Sequence, residues 1–149
     1  MDHEWRQGEY LITTLKERLD IATIHGFLTT SYWAAGIPFD TVKRSIEHSL
    51  NFGLFQNDQQ IGFARVITDY TTFAYLADVF VLEPFRGRGL SKWLMQVIIA
   101  HSELQGLRKW VLFTRDAHGL YTQVGYTSLA KPERAMERNF PDIYRQAGV

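Results

Sequence analysis

Val79-Phe80-Val81-Leu82-Glu83-Pro84-Phe85-Arg86-Gly87-Arg88-Gly89-Leu90-Ser91-Lys92-Trp93-Leu94 decides how this chain is read. An apolar run ends at Pro84, a turn with two glycines follows, and an amphipathic stretch starts straight after it. Glycine lets successive backbone N–H groups point the same way with no Cβ between them. A helix N-terminus adds unpaired N–H donors and a partial positive charge. Together they predict an anion site suited to a phosphate or pyrophosphate. Arg86 and Arg88 add charge and forked donors. Gly89 faces the helix start at what reads as a crowded turn. A tight strand-to-helix turn carrying two solvated arginines would give the same residues. No Gly-Lys-Ser/Thr is present, so this is no P-loop, and the Gly-x-Gly-x-x-Gly dinucleotide fingerprint is absent.

Working outward, Phe73–Leu82 is almost continuously apolar and reads as a central strand covered on both faces. Gly89–Gln105 reads as a helix with Leu90, Trp93, Leu94, Val97, Ile98 and Leu104 on one stripe, ended by Gly106. Upstream, Tyr10–Thr14 reads as a strand. Asp20 caps a helix carrying Ile21, Ile24, Phe27 and Leu28, and Asp40 opens another with Val42, Ile46 and Leu50. Phe52–Gln56 and Gln60–Thr68 read as a hairpin about Asn57-Asp58. Downstream, Trp110–Thr114 is a strand, His118–Val124 a short helix stopped by Gly125, and Tyr126–Leu129 a further strand. Arg134–Glu137 adds a last short one. Consecutive strands joined by short turns pair antiparallel, and strand–helix–strand units pair parallel. The predicted class is therefore α/β, a mixed α+β sheet flanked by about four helices, in one domain over residues 1–149.

Composition narrows the function classes. Lys plus Arg equals Asp plus Glu at 16 each, which argues against a nucleic-acid or membrane-surface partner. There is no cysteine, so disulfides, thiolate metal sites and a cysteine nucleophile are excluded. The five histidines show no ligand spacing, and no metal is expected. No apolar run approaches the roughly 18 residues of a membrane span. The start Met1-Asp2-His3-Glu4-Trp5-Arg6 is no secretory signal, which gives a cytoplasmic expectation.

Arg86-Gly87-Arg88-Gly89-Leu90-Ser91 resembles the pyrophosphate motif of the GNAT superfamily of N-acetyltransferases, Gln/Arg-x-x-Gly-x-Gly/Ala, with Ser91 in place of Gly or Ala. Val79-Phe80-Val81-Leu82-Glu83-Pro84 resembles the family's fourth strand. Leu120-Tyr121-Thr122-Gln123-Val124-Gly125-Tyr126 resembles its Leu-Tyr-x-x-x-Gly-Phe/Tyr signature, and Thr114 stands where the family often has Asn. The order of elements also agrees. The resemblance implies a mostly antiparallel sheet whose fourth and fifth strands splay apart around the pantetheine arm of acetyl-CoA. Backbone of Val79 and Val81 would pair with that arm, and Arg86, Gly87, Arg88, Gly89, Leu90 and Ser91 would hold the pyrophosphate. The implied activity is transfer of acetyl to a primary amine of a small molecule or peptide by direct attack. A non-catalytic acyl-CoA-binding module on the same fold is the alternative. Similar proteins are often homodimers.

Several residues carry two readings. Tyr121 matches the family's general acid, while position alone would make it a core tyrosine. Asp78 is the lone charge in its apolar run, so it either borders a cleft and handles the amine or makes structural hydrogen bonds. The family's glutamate base falls near Tyr75, which cannot serve that way. Tyr32 and Trp33, with Tyr70 and Asp69, form either an acceptor wall or ordinary rim aromatics.

Overall fold

The computed structural model describes residues 3–147. Six strands lie in one sheet in chain order: β1 (Glu4–Gln7), β2 (Tyr10–Thr13), β3 (Leu50–Gln56), β4 (Gln59–Thr68), β5 (Phe73–Val81) and β6 (Lys109–Leu112). The first five pair antiparallel, and β6 pairs parallel with β5. Five α-helices accompany them: α1 (Ile21–Leu28), α2 (Phe39–Glu47), α3 (Leu90–Ala100), α4 (His118–Thr122) and α5 (Ile143–Ala147). Among the described residues no helix is long and apolar enough to cross a membrane.

Alternation along the strands builds two cores. Phe52, Leu54 and Ile61 meet Leu94, Met95 and Ile98 of α3 on one side. Phe63 and Phe80 meet Ile24 and Leu28 of α1 and Val42 and Ile46 of α2 on the other. Each such fully buried aliphatic or aromatic side chain stabilises the fold by about 1.5–3 kcal/mol. β3 and the first half of β4 thus have apolar cover on both faces, whereas β5, expected to be covered on both, buries only Ala74, Leu76, Phe80 and Val81.

Five elements differ from the sequence reading. Glu4–Gln7 is an edge strand joined to β2 through Gly8 at φ +61°. It carries one large apolar residue, Trp5, so it shows no alternation. The helix beginning after Gly89 stops at Ala100, because His101 turns to φ −58°, ψ 132°. The His101 ring nitrogen then accepts from Glu103 N–H at 3.1 Å and caps a separate 3-10 turn, Ser102–Leu104. Leu50 belongs to β3, and α2 starts directly after Pro38, with Asp40 in its first turn. Tyr126–Leu129 and Arg134–Glu137 are not strands. Tyr126 N–H donates back to the Tyr121 carbonyl, and Pro132–Arg134 is a 3-10 turn. Residues 127–143 are exposed throughout.

Two features of β5 shape the site. Its pairing with β6 covers only Phe73–Leu76 against Lys109–Leu112, so Ala77–Val81 diverges from that neighbour. These are the strands expected to splay as fourth and fifth; the extra N-terminal strand makes them fifth and sixth. Toward β4, Phe63 faces Phe80 and Arg65 faces Ala77, so Ala64 opposes both Asp78 and Val79. This β-bulge holds Asp78 at φ +57°, a left-handed conformation that aspartate tolerates better than most residues.

Candidate active site

The splay opens two cavities along β5. One, of about 270 Å³, lies at the start of α3 and is bordered by Val81, Arg86, Gly87, Gly89, Leu90 and Ser91. Gly87 and Gly89 both sit in left-handed backbone, at φ +78° and +77°. A Cβ at either would meet nothing within 4 Å. The turn is therefore open and not crowded as the sequence suggested; glycine is required by φ. Leu90 follows as the first helical residue, so the unpaired amides of α3 open on this cavity.

The two arginines of the turn do different things. Arg86 Nε donates to the Val81 carbonyl at 2.8 Å, which ties the turn to the end of β5. Arg88 turns away from the cavity. It donates to the Tyr10 hydroxyl at 2.8 Å and to the Pro84 carbonyl at 3.4 Å. Lys92, Leu120 and Gln123 also border the cavity, a place the sequence reading had not given them. Lys92 was legible in principle as a cation in the first turn after the glycines.

The second cavity, of about 440 Å³, lies further back along β5 and brings together Tyr32, Trp33, Asp78, Val79 and Tyr121. Leu120 faces the first cavity and Tyr121 the second, so α4 stands at their junction. Tyr121 is buried and packs edge-on to Tyr126 at 5.9 Å. Burial, with a smaller contribution from Tyr32, pushes its hydroxyl up to about 12. At neutral pH it therefore carries its proton.

Asp78 reaches this cavity with both oxygens engaged. Trp33 Nε1 donates to one at 2.9 Å and Arg65 Nε to the other at 2.8 Å. Arg65 also donates to the Ser49 hydroxyl at 3.1 Å. Arg65 was missed in the sequence, although it is the single charge in the run Gln60–Thr68. A lone cation on one strand beside a lone anion on the next was the available signal. Tyr75 also borders the cavity and is raised, first by burial and then by the Asp78 charge.

Tyr32 forms a bridge over the mouth. Its hydroxyl accepts from Arg115 N–H at 3.2 Å, and the Arg115 guanidinium lies 4.0 Å above its ring. The Tyr32 and Trp33 rings meet edge-on at 5.0 Å. Tyr70 is elsewhere. It occupies the β4–β5 turn at φ +62°, where Asp69 accepts N–H groups from Thr71, Thr72 and Phe73. Those bonds hold the Asp69 carboxyl well below the usual carboxylate range. Tyr144, at the far end of the chain, does border the cavity and was not foreseen. Among the described residues, no group of three His, Cys, Asp or Glu side chains is placed to hold a metal.

Comparison with known proteins identifies the family and the fold. Residues 12–126 match the family model described as the acetyltransferase (GNAT) family. A GNAT-family protein of Xanthomonas campestris, named as a candidate acetyltransferase, is 49% identical. Its crystal structure superposes with a TM-score of 0.89 over 93% of this chain and 99% of that one. A Gibberella zeae protein, also named only as a candidate acetyltransferase, is 30% identical over 78% of each chain. At 14% identity, a Clostridium acetobutylicum protein whose structure is described with acetyl-CoA shares the fold. Its TM-score is 0.63, over 87% of this chain and 94% of that one.

Proposed function

The chain belongs to the GNAT acetyltransferase family, and from that premise we propose that it transfers acetyl from acetyl-CoA to a primary amine in a ternary complex. One observation carries the reading. The diverging stretch Ala77–Val81 runs past both cavities, with Val81 at the phosphate-sized one and Val79 at the one holding Tyr121.

The residues fit the cosubstrate piece by piece. The left-handed glycines and the first amides of α3 suit a pyrophosphate, with Lys92 beside them and Arg86 fixing the turn. Backbone of Val79 and Val81 suits the amides of an extended arm, as an exposed strand edge does. Arg88 takes a supporting part, since its guanidinium is held by Tyr10 and Pro84.

In the reaction the amine nitrogen bonds to the thioester carbonyl carbon and the carbon–sulfur bond breaks. A free amine loses one proton and the departing thiolate gains one; an acceptor that arrives as its ammonium releases one further proton to solvent before it attacks. Holding the reactants together supplies the largest gain, about 7–11 kcal/mol at best. Tyr121, protonated at neutral pH, donates a hydrogen bond to the sulfur as charge builds there. Asp78 acts as a positioning residue, holding the Trp33 and Arg65 side chains that shape the amine's side of the cavity. The amine's proton leaves through water.

The test is thiol release from acetyl-CoA with a panel of amines. Protein mass is followed in parallel with acetyl-CoA alone. The reading expects amine-dependent thiol release and an unmodified protein. Tight acetyl-CoA binding with no transfer to any amine would leave the chain a non-catalytic acyl-CoA-binding module.

A further inference from the structure

We infer that the amine accepted here is a monoamine bearing a flat aromatic or apolar group, and that Tyr144 sets this preference; the inference rests on the larger cavity being the acceptor site. The electrostatics of its lining come first. Arg65 and Asp78 are the only charged side chains bordering it among the described residues. They face each other at 2.8 Å, with side-chain exposures of 16% and 10%. Their charges therefore cancel inside the wall. A polyamine or aminoglycoside would need carboxylates not already paired. Arg115, stacked on Tyr32, is engaged by Asp116 at 3.7 Å, so a sugar phosphate or an acidic peptide would need a cation not already paired. Bringing any of these beside the closed Arg65–Asp78 pair would strip water from charges without replacing it.

The remaining wall is aromatic. Tyr32 and Trp33 are 51% and 42% exposed, and Phe113 is 71% exposed. Phe113 packs edge-on to Tyr75 at 5.9 Å. The Arg115 guanidinium covers one face of Tyr32 at 4.0 Å, so the open faces are those of Phe113 and Trp33. Exposed aromatic faces beside a cavity bind flat rings by stacking, and bind a single ammonium through their π faces. The cavity of about 440 Å³ suits a small ligand of that kind.

Tyr144 closes the wall from an unexpected direction. Residues 127–143 are exposed, whereas Tyr144 is half-buried and packs with the α1–α2 core. Its Cβ lies 3.6 Å from where a Cβ on Gly36 would stand, so it sits at van der Waals distance over the left-handed Gly36 turn. Tyr144 does not border the cavity at the start of α3. Its placement makes it a boundary of the acceptor space.

The experiment compares kcat/KM for 2-phenylethylamine, n-propylamine, spermidine and glucosamine 6-phosphate, using the full chain, its Tyr144→Ala variant and its Tyr144→Phe variant. Acetyl-CoA affinity is measured on all three by calorimetry. The wild-type chain is expected to favour 2-phenylethylamine over each other acceptor by about 10-fold or more, the scale of discrimination that apolar pockets reach. Tyr144→Ala is expected to shrink the phenylethylamine-to-propylamine ratio several-fold with acetyl-CoA affinity kept, and Tyr144→Phe to restore it. Preference for spermidine or the sugar phosphate would overturn the inference and leave the acetyltransferase reading standing. An unchanged ratio in a folded Tyr144→Ala would remove Tyr144 from specificity. Acetyl-CoA binding with transfer to none of the four amines and none of a wider panel would overturn both.

Discussion

Arg65 Nε and Asp78 Oδ2 lie 2.8 Å apart across the bulge between β4 and β5, with Trp33 on the other carboxylate oxygen. A mostly buried ion pair is a weak net stabiliser, but breaking one leaves the survivor uncompensated. Asp78→Asn keeps the shape and one acceptor while deleting the charge. It is expected to cost up to about 3 kcal/mol, reduced because neither side chain is fully buried. That corresponds to a melting temperature lower by roughly 6–12 °C for a domain of this size. Thermal melts and single-turnover rates on the same preparation separate the roles. A large fall in rate with unchanged stability would make Asp78 a participant in the chemistry.

Gly89→Asp places a carboxylate and a Cβ at φ +77° beside the first amides of α3. Left-handed backbone costs a non-glycine residue about 1–2 kcal/mol, so a modest loss of stability is expected. Acetyl-CoA binding should fall at least tenfold through like-charge repulsion at the phosphate end. Gly87→Ala, strained in the same way at φ +78° but uncharged, is the control. Calorimetry giving equal affinities for wild type and Gly89→Asp would place the pyrophosphate elsewhere.

Tyr121→Phe retains the ring and its edge-on contact with Tyr126. Acetyl-CoA should bind as before. The single-turnover rate should drop by roughly 10²–10⁴-fold if the hydroxyl is the main donor to sulfur. Water standing in for the hydroxyl would bring the loss to the lower end. A variant that transfers acetyl at the wild-type single-turnover rate makes Tyr121 a packing residue.

The same hydroxyl makes an equilibrium prediction. Its ordinary value is 10.0, and burial carries it to about 12 in the folded chain. Between those values the native state keeps a proton that the unfolded state has released. Stability is therefore intact below about pH 10 and is lost as pH rises toward about 12. Tyr126 is shifted in the same direction by burial and by Tyr121, and steepens the fall. Urea midpoints followed from neutral to alkaline pH should decline through that window, less steeply in Tyr121→Phe. An equal slope in both chains would mean that the native phenol is not held protonated.

Residues 73–94 were legible because each level of structure there asks for the same thing. The apolar run Phe73–Val81 reads as a strand, although only Ala74, Leu76, Phe80 and Val81 of it are buried, and the turn needs φ-permissive residues at Gly87 and Gly89. Leu90, Leu94, Val97 and Ile98 then supply the buried stripe of α3. Other parts depend on partners that a linear reading does not see. Tyr126–Leu129 has strand-forming residues, yet the Tyr126 amide closes the end of α4. Tyr70 is aromatic and near the hairpin, but the Asp69 turn points that stretch away from the cavity. Arg65 and Tyr144 reach the site through pairing and through the return of the chain terminus, and neither leaves a local motif.

The exposed stretch 127–143 leads to one packed side chain among the described residues beyond it, Tyr144. Since the stretch adds no packed layer to the body, opening at Tyr144 disturbs only local contacts. A protease nick within 127–143 should therefore leave the sheet and the phosphate end folded while withdrawing one wall from the amine. Truncation ahead of Tyr144 is therefore expected to change which amine is taken while leaving acetyl-CoA binding in place, as acceptor competition and calorimetry on the shortened chain would show.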